Sequence, residues 1–167
     1  MDFRSPDHPI TGDHPIRYWL NAECWFKLAI AALLLLASQK NLEDLKVEAD
    51  HAQGGHQAKL ASEVADYLVG VADQQFTAGS NQDAQATVQD ILKYAQMARD
   101  AAVKSHNHLK ETEIKLRETQ RRLEALKRTL SVEDRPPLDA VEKKIDQLRQ
   151  DLLDAMFPPG KRDKDKS

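Results

Sequence analysis

The sequence predicts an all-α protein built from elongated helical hairpins, and two observations support that prediction. Charged residues make up 31% of the 167-residue chain and aromatic residues only 5%. This composition suits helices and lacks the β-branched and aromatic density of a sheet. Leucines also recur every seven residues, at Leu109, Leu116, Leu123 and Leu130. An apolar position with this period indicates a helix with one continuous packing seam.

Residues 1–38 are expected to be irregular and to include a signal-peptide-like hydrophobic segment. Three prolines and a glycine interrupt residues 1–24, and residues 25–37 then form an apolar run that is short for a membrane span. The run fits the apolar region of a cleaved secretory signal, with Lys27 near its start and Ala37 near its exit. Acidic residues upstream argue against this interpretation unless translation begins further downstream. A short buried helix and an uncleaved inner-membrane anchor therefore stay open.

Residues 39–157 are expected to form a helical domain, followed by a disordered polar tail at 158–167. An apolar stripe predicts a helix at 57–77, stopped by Gly79, after which Ser80 suits a capped helix start. Neither proline nor glycine occurs from there to Pro136. The sequence therefore predicts one spine helix of about 50 residues over about 82–130, roughly 70 Å long at 1.5 Å per residue. A last helix is predicted at 138–156, after two prolines that suit its first turn.

The simplest assembly gives this spine one antiparallel partner at each end. The helix at 57–77 would cover its alanine-rich first half, and the helix at 138–156 its leucine-rich second half. The residues expected in the buried structural seam are Val88, Ile91, Leu109, Leu116, Leu123, Leu126, Leu130, Leu138, Val141, Ile145, Leu148 and Leu152. Because the chain would cover its own seam, a simple coiled-coil dimer is disfavoured, although a homo-oligomer stays possible.

The hairpin at about 68–95 resembles one tetratricopeptide unit. Val71 and Ala72 stand where that motif has a large and then a small residue, and Gly79 precedes Ala84 by five positions, as the turn glycine precedes the central alanine there. The resemblance implies a helical hairpin of the kind that this family uses to bind peptides or partner proteins. Such repeats normally occur in arrays of at least about three, so only the hairpin itself is inferred from this single copy.

The motifs predict neither catalysis nor a cofactor nor a metal site. Glu48 and His51 have the spacing used in carboxylate-bridged di-metal bundles, but those sites need two such motifs and the sequence holds one. The basic side chains from Lys115 to Arg128 alternate with glutamates and lack interleaved aromatic residues. They are therefore predicted to form a solvated, partly paired helix face and not a nucleic-acid site.

The expected function is that of a non-enzymatic, exported helical module, periplasmic or secreted, with a structural or protein-interaction role. Its partner is expected to be a protein, with no nucleic acid and with membrane contact only through residues 25–37 if they are uncleaved. Tyr67, Phe76 and Tyr94 are the predicted partner-contact residues, since aromatic side chains could line a groove at the first hairpin. Two alternatives stay open: a membrane-tethered accessory rod and a metal-binding helical-bundle enzyme.

Overall fold

A computed structural model of the protein describes residues 41–158, which are almost entirely helical and contain no strand. Helix α1 covers 41–51 of the described residues. It is followed by α2 (Gly54–Thr77), α3 (Asn81–Ser105), α4 (Leu109–Thr129), a 3-10 turn (Val132–Asp134) and α5 (Arg135–Met156). The prediction of an all-α fold of helical hairpins is confirmed. The predictions for residues 1–38, for the hydrophobic segment 25–37 and for the tail beyond Pro158 lie outside the described residues.

The turn between α2 and α3 is closed by backbone hydrogen bonds that need a glycine. The Gly79 N–H donates to the carbonyl of Phe76, and the Ser80 N–H donates to the carbonyl of Gln75. These are the two bonds of a Schellman motif, and Gly79 adopts the left-handed φ of 78° that the motif requires. Ser80 occupies the cap position of α3, but its side chain makes no capping hydrogen bond, so the predicted capping by its hydroxyl is wrong.

The prediction of a single spine helix is wrong, because the structure divides it at residues 106–108. His106 and His108 adopt left-handed φ values of 53° and 59°, which a continuous right-handed helix excludes. The Ser105 hydroxyl accepts a hydrogen bond from the Asn107 N–H and so helps to close the turn. Serine, histidine and asparagine are weaker helix formers than the alanine, leucine and lysine that flank them, so the break falls at a run of residues of moderately low helix propensity.

Helices α2 to α5 form a four-helix bundle of two antiparallel hairpins, α2–α3 and α4–α5. The hairpins lie side by side, with α2 beside α4 and α3 beside α5. Asn81 at the start of α3 donates to Asp134 just before α5, and Arg99 lies 3.6 Å from Asp151 near the other end. α3 and α5 therefore run parallel. Although α3 and α4 are consecutive, they lie diagonally and contact each other little.

The core lies between the two hairpins and takes in most of the predicted seam. The structure buries ten of those residues: Val88, Ile91, Leu116, Leu123, Leu126, Leu138, Val141, Ile145, Leu148 and Leu152. Leu109 and Leu130, at the two ends of α4, are partly buried. Since α4 contacts α2 as well as α5, the bend covers its leucines on two sides. This extra burial, at roughly 25 cal/mol per Å² of apolar surface, offsets the roughly 1–2 kcal/mol that each left-handed residue costs.

Helix α1 packs on the same core at the open end of the α2–α3 hairpin. Leu42 and Ala49 are buried there, and Gln57 Nε2 donates to the carbonyl of Ala49 at 3.3 Å. Ala52 and Gln53 separate α1 from α2, which begins at Gly54. Gly54 has a φ of 59°, a conformation that favours glycine, so the chain can change direction between the two helices.

Candidate functional site

The three aromatic residues predicted as partner contacts do not share one surface. Tyr67 on α2 is 39% exposed, whereas Phe76 and Tyr94 are buried, at 9% and 3%. Burial, together with nearby carboxylates of which Asp50 is the strongest, raises the pKa of the Tyr94 hydroxyl to about 12. Phe76 and Tyr94 therefore belong to the core. Of the three, only Tyr67 lies on the outside of the bundle.

One surface of the described helices that carries cavities is the face formed by α2 and α4. Two cavities lie along it, with volumes of about 370 Å³ and 280 Å³. The first is lined by Lys59 and Ser62 of α2 and by Thr112 and Lys115 of α4, among others. The second is lined further along both helices, for example by Gly70 and Arg122. The order of these residues shows that α2 and α4 run parallel, so the two cavities follow one another along a single face, here called the α2–α4 face.

An ion cluster lies between the two cavities. The Asp66 carboxylate is 2.8 Å from Arg122 Nη1 and 3.5 Å from Lys115 Nζ, and the Asp66 carbonyl oxygen also accepts a hydrogen bond from Arg122 at 2.8 Å. A hydrogen bond to Glu118, with the charge of Asp66 adding to it, raises the pKa of Lys115 despite some desolvation. The cluster joins α2 to α4 and therefore joins the two hairpins.

Thr112 contributes a buried polar group to the first cavity. It is 1% exposed, and its hydroxyl oxygen makes no hydrogen bond with any group in residues 41–158. A buried hydroxyl without a partner costs roughly 1–3 kcal/mol. The nearby Ser62 hydroxyl is instead satisfied, since it donates to the Lys59 carbonyl at 2.8 Å. Thr112 is therefore a buried polar group that the packing of residues 41–158 leaves without a hydrogen-bond partner.

The interface between α4 and α5 holds a buried carboxylate that the sequence analysis did not identify. Glu113 is 2% exposed, and Arg149 Nη2 donates to its Oε1 at 3.0 Å while Arg117 donates to the same carboxylate. Burial by itself would raise the pKa of Glu113, but the hydrogen bonds from Arg117 and Arg149 outweigh it, so the pKa is lowered. Its helical spacing, three residues before Leu116, is the one signal that could have placed Glu113 on the packed side of α4.

A second charged group joins the same two helices nearer their connecting turn. Lys127 on α4 lies 2.8 Å from the carboxylate of Asp139 on α5 and also contacts Glu142, which is 9% exposed. The hydrogen bond that Lys127 donates to Asp139, followed by the one that it donates to Glu142, raises the pKa of Lys127. With Lys115, Arg117 and Arg122 also beside carboxylates, the basic face of α4 is largely occupied in pairing.

The residues of the Glu-x-x-His motif do not converge on a common centre. His51 Nδ1 donates to the carbonyl of Val47 at 2.8 Å, and the Glu48 carboxylate lies 3.7 Å from His56 Nε2. Within residues 41–158, no three His, Cys, Asp or Glu side chains are grouped so that they could hold a metal ion. Over the same range, no helix has the length and apolar character needed to cross a membrane.

Fold and surface together define a four-helix-bundle protein with a cavity-bearing face. The chain matches no protein-family model, no curated protein and no solved structure. The tetratricopeptide resemblance at about 68–95 therefore stays an interpretation of the α2–α3 hairpin.

Proposed function

We propose that the protein is a non-enzymatic helical module that binds another protein through the α2–α4 face. The observation that carries this proposal is the pair of cavities aligned along the two parallel helices. Cavities in line can receive successive side chains of an extended or helical segment, as in the docking of a helix into a groove. In this arrangement, the backbone of the partner would cross the Asp66 ion cluster, and its side chains would enter the cavity on each side.

Exposed apolar residues on both helices support the choice of this face. Tyr67 lies one helical turn beyond Glu63 of the first cavity, and Ile114 of α4 is 49% exposed and lies between Glu111 and Lys115. These spacings place both side chains on the outer borders of the groove. A groove lined by both polar and apolar groups, with apolar borders, offers a partner both hydrophobic burial and hydrogen bonds.

The positions of the buried and half-buried charges support a structural and binding role. Glu113 and Lys127 each connect α4 to α5, and Asp66 connects α2 to α4. Each of these groups is held by oppositely charged partners that belong to the fold itself. Such pairing fixes the geometry of helices, whereas a catalytic acid or base must exchange protons with a substrate.

We also propose that the module acts after export, in the periplasm or outside the cell. The apolar segment 25–37, which lies outside the described residues, supports this location. Mass spectrometry of the mature N-terminus tests it, and a start near Gln39 is expected. Recovery of an intact 25–37 segment in the membrane fraction would favour an anchored protein instead. Intact protein in the soluble fraction would contradict both.

Site-specific photo-crosslinking tests the binding face. A photoreactive amino acid replaces Ile114 in the full chain, and in a matched control it replaces the exposed Lys144 of α5, a helix that does not line the cavities. In the native cell, one defined protein product is expected from position 114 and not from position 144. Identical products from both positions, or products from position 144 alone, would contradict binding at the α2–α4 face.

A further inference from the structure

The link between α3 and α4 is the most strained backbone in the described residues. His106 and His108 are the non-glycine residues with positive φ there, a conformation that L side chains seldom adopt. Natural chains usually place glycine at such positions, but residues 81–129 contain neither glycine nor proline. The sequence of the link therefore tolerates a bend without requiring one.

The apolar register continues across this bend without a change of phase. Val88, Ala95 and Ala102 of α3 are followed at the same spacing by Leu109 and Leu116 of α4. If the link became helical, α3 and α4 would form one helix with a single unbroken apolar seam. The chain thus has two compatible states, a bent one, which the structure shows, and a straight one.

Straightening the link would separate the two hairpins but leave each of them intact. Within α2–α3 and within α4–α5, the two helices contact each other along their lengths. These contacts do not depend on the conformation of the link. The contacts between the hairpins, such as Asp66 with Lys115 and Arg99 with Asp151, would be lost within the chain. Buried leucines, including Leu116 and Leu123, would lose the cover of α2. A second copy with a straight link exposes the same two hairpin faces, so each hairpin of one copy can pack on the complementary hairpin of the other copy.

We propose that the protein also forms a domain-swapped dimer, in which residues 106–108 are helical. The α4–α5 hairpin of each copy then packs on the α2–α3 hairpin of the other copy and rebuilds the contacts between helices of the two hairpins, apart from those that residues 106–108 make in the bent state. The inference does not rest on the proposed function, because it depends on the backbone of the link. In the swapped dimer, each α2–α4 face would be made of one helix from each copy.

Gly55 favours the bent state through the space that it leaves for the link. A Cβ atom at residue 55 would lie 2.8 Å from Asn107 Cβ and 2.6 Å from His108 Cδ2, closer than packed atoms approach. The clash with Asn107 involves an atom next to the backbone and cannot be relieved by turning a side chain. Gly55→Ala is therefore expected to weaken the bent state and to increase the dimer fraction.

Two matched double variants of the full chain test the proposal. His106→Ala/His108→Ala and His106→Gly/His108→Gly both remove the imidazoles and differ only in backbone preference. Alanine favours the straight helix, and glycine favours the left-handed bend. By sedimentation equilibrium, the alanine variant is expected to dimerise at least about tenfold more tightly than the glycine variant. Equal dissociation constants, or a tighter glycine dimer, would overturn the proposal.

Crosslinking then shows whether the dimer is swapped. Isotope-labelled and unlabelled chains are unfolded and refolded together, and a carbodiimide joins Lys115 to Asp66, whose charged groups lie 3.5 Å apart. In a swapped dimer that contains one labelled and one unlabelled chain, this crosslink joins the labelled chain to the unlabelled chain. The crosslink between Lys127 and Asp139, at 2.8 Å within one hairpin, stays inside one chain and is the internal control. A dimer whose Lys115–Asp66 crosslink is always within one chain would associate through another surface and would overturn the swap.

Discussion

The two hairpins of this bundle reach the same architecture by different packing. The α2–α3 hairpin buries nine alanines, namely Ala58, Ala61, Ala65, Ala72, Ala84, Ala95, Ala98, Ala101 and Ala102, beside the larger Leu60, Val64, Leu68, Val69, Phe76, Val88, Ile91 and Tyr94. The α4–α5 interface is built on larger side chains, namely Leu116, Leu123, Leu126, Leu138, Val141, Ile145, Leu148 and Leu152. The second hairpin also holds the buried carboxylates Glu113 and Glu142, whereas the buried polar residues of the first are the hydroxyl residues Ser62 and Thr87.

This difference shows what each interface depends on. Alanines let two helices approach closely, and α2 and α3 form the most extensive helix pair of the described residues. Such an interface depends on the absence of side-chain volume. The leucine interface depends instead on filled volume and on charges that have partners. Substitutions that add volume, remove a partner or add a charge should therefore affect the two hairpins differently.

The largest effect is expected from a charge placed in the leucine interface. Leu123 is fully buried, so Leu123→Asp would bury a carboxylate and is expected to lower the free energy of unfolding by roughly 4 kcal/mol or more. Thermal unfolding followed by circular dichroism measures the loss. Ile114→Asp, on the exposed side of the same helix, is the control and should change stability by about 0.5 kcal/mol or less. Similar losses for both variants would contradict the burial of the leucine seam.

Removing one partner of the buried carboxylate should have the next largest effect. Arg149→Met leaves Glu113 with Arg117 alone and is expected to cost roughly 2–3 kcal/mol in urea unfolding. The double variant Glu113→Leu/Arg149→Met also removes the charge and should regain part of that loss. If the double variant is no more stable than Arg149→Met alone, the carboxylate does not act as an unpaired buried charge.

A change in side-chain volume should show the difference between the two hairpins most directly. Ala98 of α3 is fully buried, and Ala98→Leu is expected to cost about 2 kcal/mol because the close helix contact cannot expand without strain. Leu126→Met keeps the volume of a buried position on α4 and should cost less than about 1.5 kcal/mol. Urea unfolding of both variants measures the comparison. If Ala98→Leu were neutral, α2 and α3 would not need the small residues between them.

The smallest effect expected is a dependence of the free energy of unfolding on pH in the acidic range. Two arginine hydrogen bonds lower the folded-state pKa of Glu113 below its ordinary value of 4.5. Its contribution to stability is therefore fully present above the ordinary pKa and is lost as the pH falls through the folded-state pKa. Glu113→Gln should be less stable near neutral pH and should lose less stability on acidification. Urea unfolding at several acidic pH values measures both slopes, and parallel slopes would contradict this role of Glu113.

Local sequence signals were sufficient to predict a helix end or a helix start wherever a single residue sets the backbone conformation. Gly79 ends α2 through a left-handed turn, and Pro136 suits the first turn of α5. The break at residues 106–108 has no such signal, since residues of moderately low helix propensity weaken a helix without ending it. Glu113 was missed because a polar side chain is not expected in a seam unless its partner is known, and Arg149 is 36 positions away in the chain.

The sequence by itself determined the all-α class, the apolar face of each helix and the turn between α2 and α3. These properties depend on composition, on side-chain spacing along one helix and on the conformations that glycine and proline allow. Only the tertiary structure decided that the predicted spine bends, that α2 lies beside α4 and that the α2–α4 face carries two cavities. These outcomes depend on the free energy of burying leucines from distant parts of the chain against one another, which local patterns do not contain.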